Sequence, residues 1–157
     1  MIMKKLILLF PVSILMLVLS SCLKDTSCTP KTAASEKSTM LSYATASGIT
    51  ATEHSSGLMY EIIAAGAGQT PTLTSTVSVR YTGKLLNGTI FDSVTGTPIS
   101  FQLGQVIAGW QLGLPLIQEG GTIKLIIPSS LAYGCSAVGS IPANSILFFE
   151  VQLVDVQ

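Results

Sequence analysis

Apolar residues fall into three regimes along the chain: a dense block near the start, a polar stretch, and then a long region where they recur mainly every second residue. The block runs from Leu6 to Leu19, interrupted only by Pro11 and Ser13. Leu23 to Ala34 is rich in Thr, Lys, Ser and Ala with no apolar period, the composition of a flexible tether. From Ser35 to Ala46, Met40, Leu41 and Ala44 share a helical face and Ser47-Gly48 supplies a stop, so 35–52 reads as a short helix with an approach segment. The domain proper is expected over 53–157. There Leu58 to Ala64 is apolar and β-rich, followed by a turn at Gly66-Ala-Gly68 and by Pro71. Val77, Val79 and Tyr81 alternate with Ser78, Arg80 and Thr82, the period of a half-buried strand, which puts Arg80 on the opposite side from Tyr81. Asn87-Gly88 predicts a tight hairpin, because both residues tolerate positive φ, and Thr89 to Asp92 is its returning strand. Thr122 to Ile127 and Ile146 to Val156 read as two further strands. Val106 to Ile117 carries Val, Ile, Trp and Leu at helical spacings, and Pro115 limits the helix. A short helix lying against an antiparallel sheet satisfies both periods.

The first block follows Lys4-Lys5 and ends in Leu19-Ser20-Ser21-Cys22. A positive start, an apolar middle and small residues at the end describe a secretory signal peptide over 1–21, since the middle is shorter than the about 20 residues of a membrane span. The ending resembles the bacterial lipobox, in which the cysteine is lipid-modified and becomes the first mature residue. That resemblance implies a lipid anchor at Cys22, a tether over 22–34, and a place in the bacterial cell envelope, at the outer membrane on its periplasmic or surface face. A plain secreted protein cut nearby is the competing reading. The whole chain has 8 basic and 8 acidic residues, so removing Lys4 and Lys5 leaves 6 against 8, a balance of −2. No basic stripe exists, and nucleic acid is not an expected partner. With Cys22 assigned to lipid, Cys28 and Cys135 remain. An export compartment permits a disulfide, but Cys28 lies in the expected tether, and two free or adventitiously paired thiols are the favoured state.

The chemistry sits in four stretches: Val77-Ser-Val-Arg-Tyr-Thr-Gly-Lys-Leu-Leu-Asn-Gly-Thr-Ile-Phe-Asp-Ser93, Phe101-Gln-Leu-Gly-Gln-Val-Ile-Ala-Gly-Trp110, Leu131-Ala-Tyr-Gly134 and Ile141-Pro-Ala-Asn144. They place Tyr81, Phe91, Asp92, Val106, Ile107, Trp110 and Tyr133, with Phe149 following on the last strand, in an order that brings no nucleophile with a base, no metal spacing and no phosphate loop. His54, the one histidine, stands apart from Cys135 with no base motif beside either. An apolar pocket with a few polar handles is what such a set builds. Together the stretches resemble the FK506-binding (FKBP-type) peptidyl-prolyl isomerases from about Gly57 to Val156. The resemblance implies an α+β fold in which a curved antiparallel β-sheet wraps a short central α-helix.

It also implies roles. Trp110 is the floor under a proline ring, and Tyr81, Phe91, Val106 and Phe149 are walls. The Ile107 N–H and the Tyr133 hydroxyl bond substrate carbonyls. Asp92 sits at the rim, accepting from Tyr81 or orienting the bound chain, and Ile141 closes the loop side. Ile99 falls at a wall position that is often aromatic in the family, giving a less aromatic rim. Blander readings of single residues stay open: Trp110 as core, Asp92 as a turn cap, Tyr133 pointing to water.

The implied reaction is rotation about the bond preceding proline in exported polypeptides, with no cofactor. Its uncatalysed barrier of about 18–20 kcal/mol reflects lost amide resonance. Taking tens of seconds to milliseconds requires roughly 5–6 kcal/mol of preferential binding of the twisted amide, and no covalent step. Proline-containing polypeptides are the expected partners, with FK506- or rapamycin-type macrolides as further ligands and a membrane reached through the anchor. Two other functions compete: a proline-peptide-binding chaperone or adhesion module with little turnover, and a spacer on the envelope surface.

Overall fold

Two apolar faces on one sheet organise the molecule. The computed structural model describes residues 28–157, so the first apolar block, its end and Cys22 lie outside the described residues. The elements are α1 (Ala33–Ala46), β1 (Thr52–Glu53), β2 (Met59–Ala64), β3 (Thr76–Leu85), β4 (Ile90–Gln102), α2 (Ala108–Gly113), β5 (Thr122–Ile127) and β6 (Leu147–Val156). The six strands form one antiparallel sheet in the order β1-β2-β5-β6-β3-β4.

Period-two alternation fills the inner face. Ile123, Leu125 and Ile127 of β5 and Leu147, Phe149, Val151 and Leu153 of β6 join Val77, Val79, Trp110 and Leu114 in the main core. Intervening positions turn outward, and two of them, Ile126 and Phe148, are also buried. They meet Met40, Ala44, Ile49 and Met59 in a second cluster under α1. β5 therefore reads as nearly continuous apolar sequence because it is covered on both sides.

α2 is only six residues, about 9 Å long. It nevertheless reaches four strands. A Cβ on Gly109 would lie 2.4 Å from Ile127 and one on Gly113 2.6 Å from Leu125, so the helix backbone rests directly on β5. Trp110 stacks edge-on against Phe149 of β6 and Tyr81 of β3 and leans on Phe101 of β4. Four strands at about 4.8 Å spacing reach one short helix only if the sheet curves around it. Pro115 shapes the helix end: a 3-10 turn over Leu114–Leu116 replaces the last part of the segment that helical spacing predicts to Ile117.

Several expectations are revised by particular contacts. The hairpin after β3 has positive φ at Gly88 alone, and Asn87 keeps an ordinary backbone. Gly88 N–H donates to Leu85 O and Leu85 N–H to Thr89 O, the pattern of a three-residue loop closed by a left-handed glycine rather than a two-residue turn. The returning strand runs to Gln102, ten residues past its expected end at Asp92. α1 begins at Ala33, capped reciprocally by Thr32 and Ser35, and ends with Gly48 at φ 64° and Ile49 N–H bonded back to Ala44 O. It buries Glu36, Met40 and Ala44, while Leu41 faces solvent. The helix thus covers a sheet face.

The tether is also shorter where it is described. Cys28 is disulfide-bonded to Cys135, with Cα atoms 5.6 Å apart, and Asn144 Nδ2 donates to Thr29 O at 2.9 Å. The expectation of two free or adventitiously paired thiols is corrected to a defined pair: once α1 docks, it delivers Cys28 to the loop that holds Cys135. This bond also removes Cys135 as a nucleophile.

Candidate functional site

Cleft and strands meet over α2. All ten residues that the sequence assigns to the pocket border a single cavity of about 530 Å³, within the usual range for small-ligand clefts. Trp110, 4 % exposed, is at the bottom. Its ring centroid is 5.2 Å from both Tyr81 and Phe149, edge-on to each, and 5.7 Å from Phe101. Phe91 extends the wall, edge-on to Phe149 at 5.4 Å. Such edge-to-face contacts set each ring's angle as well as its place. The Trp110 indole N–H is buried without a partner among the described residues, so the floor carries an uncommitted donor.

Phe91 and Asp92 are sequence neighbours, and strict alternation would send them to opposite faces. The β3–β4 register explains why both reach the cavity: Gly83 pairs with Asp92 but Lys84 with Ile90, leaving Phe91 as the extra residue of a bulge. A second irregularity lies further along, where Val79 pairs with Ile99 and Tyr81 with Val94. Residues 95–98 loop out there opposite Arg80. The Arg80 Nε–H donates to Gly96 O at 2.7 Å and its Nη1–H to Gln152 Oε1 at 3.2 Å, holding the excursion against β6. Arg80 therefore lies away from the pocket, as alternation predicts.

Polar groups fringe the opening. The Tyr81 hydroxyl donates to Asp92 Oδ2. Burial first, then the hydrogen bond and negative charge of Asp92, push the Tyr81 phenol well above its ordinary value, so it stays a neutral donor. Tyr133 projects from the loop between β5 and β6 and is partly exposed. Ile107, at the cap position before α2, has no backbone acceptor for its N–H among the described residues. The turn that presents Ile107 is fastened by Gln111, whose Nε2 donates to Val106 O at 2.8 Å and Gly104 O at 3.2 Å. Ile141 is buried at the loop side, bridged to Val138 by two backbone hydrogen bonds. Ile99 is 40 % exposed at the mouth, making an aliphatic rim.

Sequence reasoning left out Phe101, Gln105 and the Val138-Gly139-Ser140 flap, which also border the cavity. Phe101 was accessible in principle, since it lies two residues after Ile99 on one strand and shares its face. Gln105, the flap and the fastening role of Gln111 sit on aperiodic backbone, where spacing carries no signal. Among the described residues no group of three His, Cys, Asp or Glu side chains is placed to hold a metal ion. His54 Nδ1 meets Ser56 Oγ at 2.9 Å, remote from the cleft.

Known proteins resemble this chain in sequence and in fold. Residues 67–154 match the family model for FKBP-type peptidyl-prolyl cis-trans isomerase. A protein of Haemophilus influenzae called a probable FKBP-type peptidyl-prolyl cis-trans isomerase is 53 % identical over 104 residues, 64 % of this chain and 43 % of that protein. The crystal structure of FkpA from Escherichia coli superposes with a TM-score of 0.70 at 42 % identity, covering 80 % of this chain and 61 % of that one. A peptidyl-prolyl cis-trans isomerase structure from Pseudomonas syringae pv. tomato gives 0.67 at 30 % identity, covering 83 % of this chain and 99 % of that one. The chain spans less than half the length of the curated relatives it matches.

Proposed function

The chain belongs to the FKBP-type peptidyl-prolyl cis-trans isomerase family, and we propose from that membership and the cleft geometry that it catalyses rotation about Xaa-Pro bonds of exported polypeptides. The observation that carries this reading is the boxed floor: Trp110 fixed edge-on by Tyr81 and Phe149 beneath an open cavity. A proline ring lies flat on the indole, with Phe91, Phe101 and Val106 against its edges. The bond to be turned then sits at the polar fringe, within the span of the Ile107 N–H and the Tyr133 hydroxyl.

Rotation demands no proton transfer and no covalent intermediate, so the cleft works by differential binding. The planar amide is the more polar state, its charge spread from nitrogen to oxygen by resonance. Aromatic walls strip water from it and offer little in return, while the twisted amide, with a localised nitrogen lone pair, loses less. The Ile107 N–H and Tyr133 hydroxyl hold the flanking carbonyls so that only the one bond turns. Asp92, by accepting from Tyr81, keeps the phenol ring upright as a wall and leaves its own second oxygen for a substrate N–H. Each hydrogen bond contributes about 0.5–1.5 kcal/mol, so the required acceleration is spread over the whole cleft.

A protease-coupled assay on Xaa-Pro tetrapeptides tests the proposal. Turnover above the spontaneous rate is expected, and it should fall in a Tyr133→Phe, Asp92→Leu double variant. A rate equal to the spontaneous one, with peptide still bound in calorimetry, would instead mark a proline-peptide-binding module.

Two finer proposals accompany this one. The aromatic cavity suits FK506- and rapamycin-like macrolides, and quenching of Trp110, the single tryptophan, reports their binding directly. The Leu19-Ser20-Ser21-Cys22 sequence supports a lipid anchor at Cys22 and a cell-envelope location. Palmitate labelling that survives a Cys22→Ala change would rule the anchor out.

A further inference from the structure

The segment before β1 reaches the site loop at two points that bracket Tyr133. Four residues ahead of it, Ser129 is fully buried and gives both its N–H, at 2.7 Å, and its hydroxyl, at 3.0 Å, to Glu36 Oε2 of α1. Two residues beyond it, Cys135 is joined covalently to Cys28. The loop is knotted around the same residues: Ala132 N–H and Gly134 N–H both donate to Ser129 O, at 3.1 and 2.9 Å. Asn144, held at φ 55°, donates to Thr29 O with its side chain and to Gly134 O with its backbone N–H.

Three features make this more than incidental packing. Glu36 is 3 % exposed, and burying a carboxylate is costly, yet it is committed to one short turn of backbone. Its other oxygen has no partner among the described residues, so no second interaction accounts for its burial. Among the described residues Tyr133 makes no ring-to-ring contact with the cleft aromatics, although its hydroxyl lies near enough to Tyr81 to act on that phenol, so the backbone that carries it is left to set its place. Moreover, Cys28, Thr29 and Glu36 all precede residue 67, where the match to the family model begins.

We propose that residues 28–46 form a positioning clamp for the Tyr133 loop, with Glu36 and the Cys28–Cys135 bond as its two fixing points. The clamp rests on the isomerase reading for its catalytic consequence: it holds the Tyr133 hydroxyl where a substrate carbonyl arrives. Glu36 touches no substrate and acts through Ser129. Because one fixing point is a disulfide, reduction releases half of the clamp while the sheet and α2 keep their own cores.

The experiment compares full-length wild-type protein with Glu36→Ala, with a Cys28→Ser, Cys135→Ser pair, and with each combined with Tyr133→Phe. Amide hydrogen exchange in 130–140 should quicken by about tenfold or more on release, as for a locally opened segment, with α2 and β6 unchanged. Tetrapeptide kcat should fall with KM little altered, and Tyr133→Phe should cost activity in the clamped protein but little in the released one, because the two changes remove one contribution. Unchanged exchange in 130–140, equal acceleration across the sheet, or an undiminished Tyr133→Phe effect after release would each overturn the clamp. Wild-type protein without turnover would sink the isomerase reading instead, and the exchange comparison would still decide whether 28–46 fixes the loop.

Discussion

Replacing Gly83 by alanine probes the cleft wall from behind. Gly83 lies in β3 between Asp92 of β4 and Phe149 of β6, and a methyl group there would be 2.7 Å from Phe149 Cε1 and from Cε2 and Cζ of Phe91. Ordinary carbon contacts are about 3.5–4.0 Å, so the rings must give way by roughly 1 Å. Phe149 has nowhere to go, being 5 % exposed and edge-on to Trp110. Phe91, half-buried on its bulge, is the ring that moves. Overpacking of this kind costs about 1–3 kcal/mol, less than a domain's whole stability, so the protein should fold. Activity should suffer more, since a misplacement of about 1 Å in a positioning group can cost up to roughly 100-fold. The variant is expected to keep its fold by circular dichroism, denature at lower urea, and lose about tenfold or more in kcat/KM on an Xaa-Pro tetrapeptide. Full activity with an unchanged denaturation midpoint would refute the reasoning, because it would mean the two rings are not held where the methyl group must go.

Met40→Ala tests the outer cluster: Met40 is fully buried under α1, and truncation should cost about 2–5 kcal/mol in urea denaturation. A loss well below that range would mean α1 is not part of the cooperative unit. Alkaline titration tests the Tyr81–Asp92 pair. The folded phenol is raised above its ordinary 10.0, so its contribution to stability is complete below pH 10 and is lost as pH climbs from there through the raised value, where only the unfolded chain ionises at first. Tyr81→Phe should therefore flatten part of the stability decline above pH 10, and wild-type phenolate absorbance should show one tyrosine ionising later than the rest. Gln111→Ala, which frees the Gly104 and Val106 carbonyls, should weaken peptide binding through Ile107 with a stability cost of about 1–3 kcal/mol for the two bonds. An unaltered KM would show that the turn holds without its side-chain fastening.

Period-two and helical spacings were enough to locate β2, β3, β5, β6 and the α2 segment, because in each of them burial on one face dominates what residue is tolerated. β4 outruns the strand that its sequence predicts for a physical reason. Thr95, Gly96, Thr97 and Pro98 break alternation in its middle, and the strand survives them only by looping out against Arg80, a compensation that local propensity does not encode. The same limit hid the disulfide. Cys28 and Cys135 are 107 residues apart, and only the docking of α1 through Met40 and Ala44 brings them to bonding distance.

The site was legible to different depths for a related reason. Its floor and walls consist of large aromatic side chains that must occupy fixed strand and helix positions, so Trp110, Tyr81, Phe91 and Phe149 announce themselves by type and spacing. Its rim consists of backbone and small or aliphatic side chains on loops, and their contribution depends on how each loop is fastened. Gln111 fastens the Ile107 turn and Glu36 fastens the Tyr133 turn, both from helices whose own periodicity concerns burial and says nothing of the loop they hold. A cleft that works by binding a twisted bond needs both parts. On the proposed mechanism the walls alone would bind proline rings without selecting a carbonyl geometry, and selection would fall to the two donors whose positions these fastenings set. Changes at Glu36 should therefore shift turnover and changes at Gln111 peptide affinity, both leaving macrolide quenching of Trp110 close to wild type, whereas Gly83→Ala should disturb activity and quenching together. Equal loss of quenching in all three would contradict this division between wall and rim.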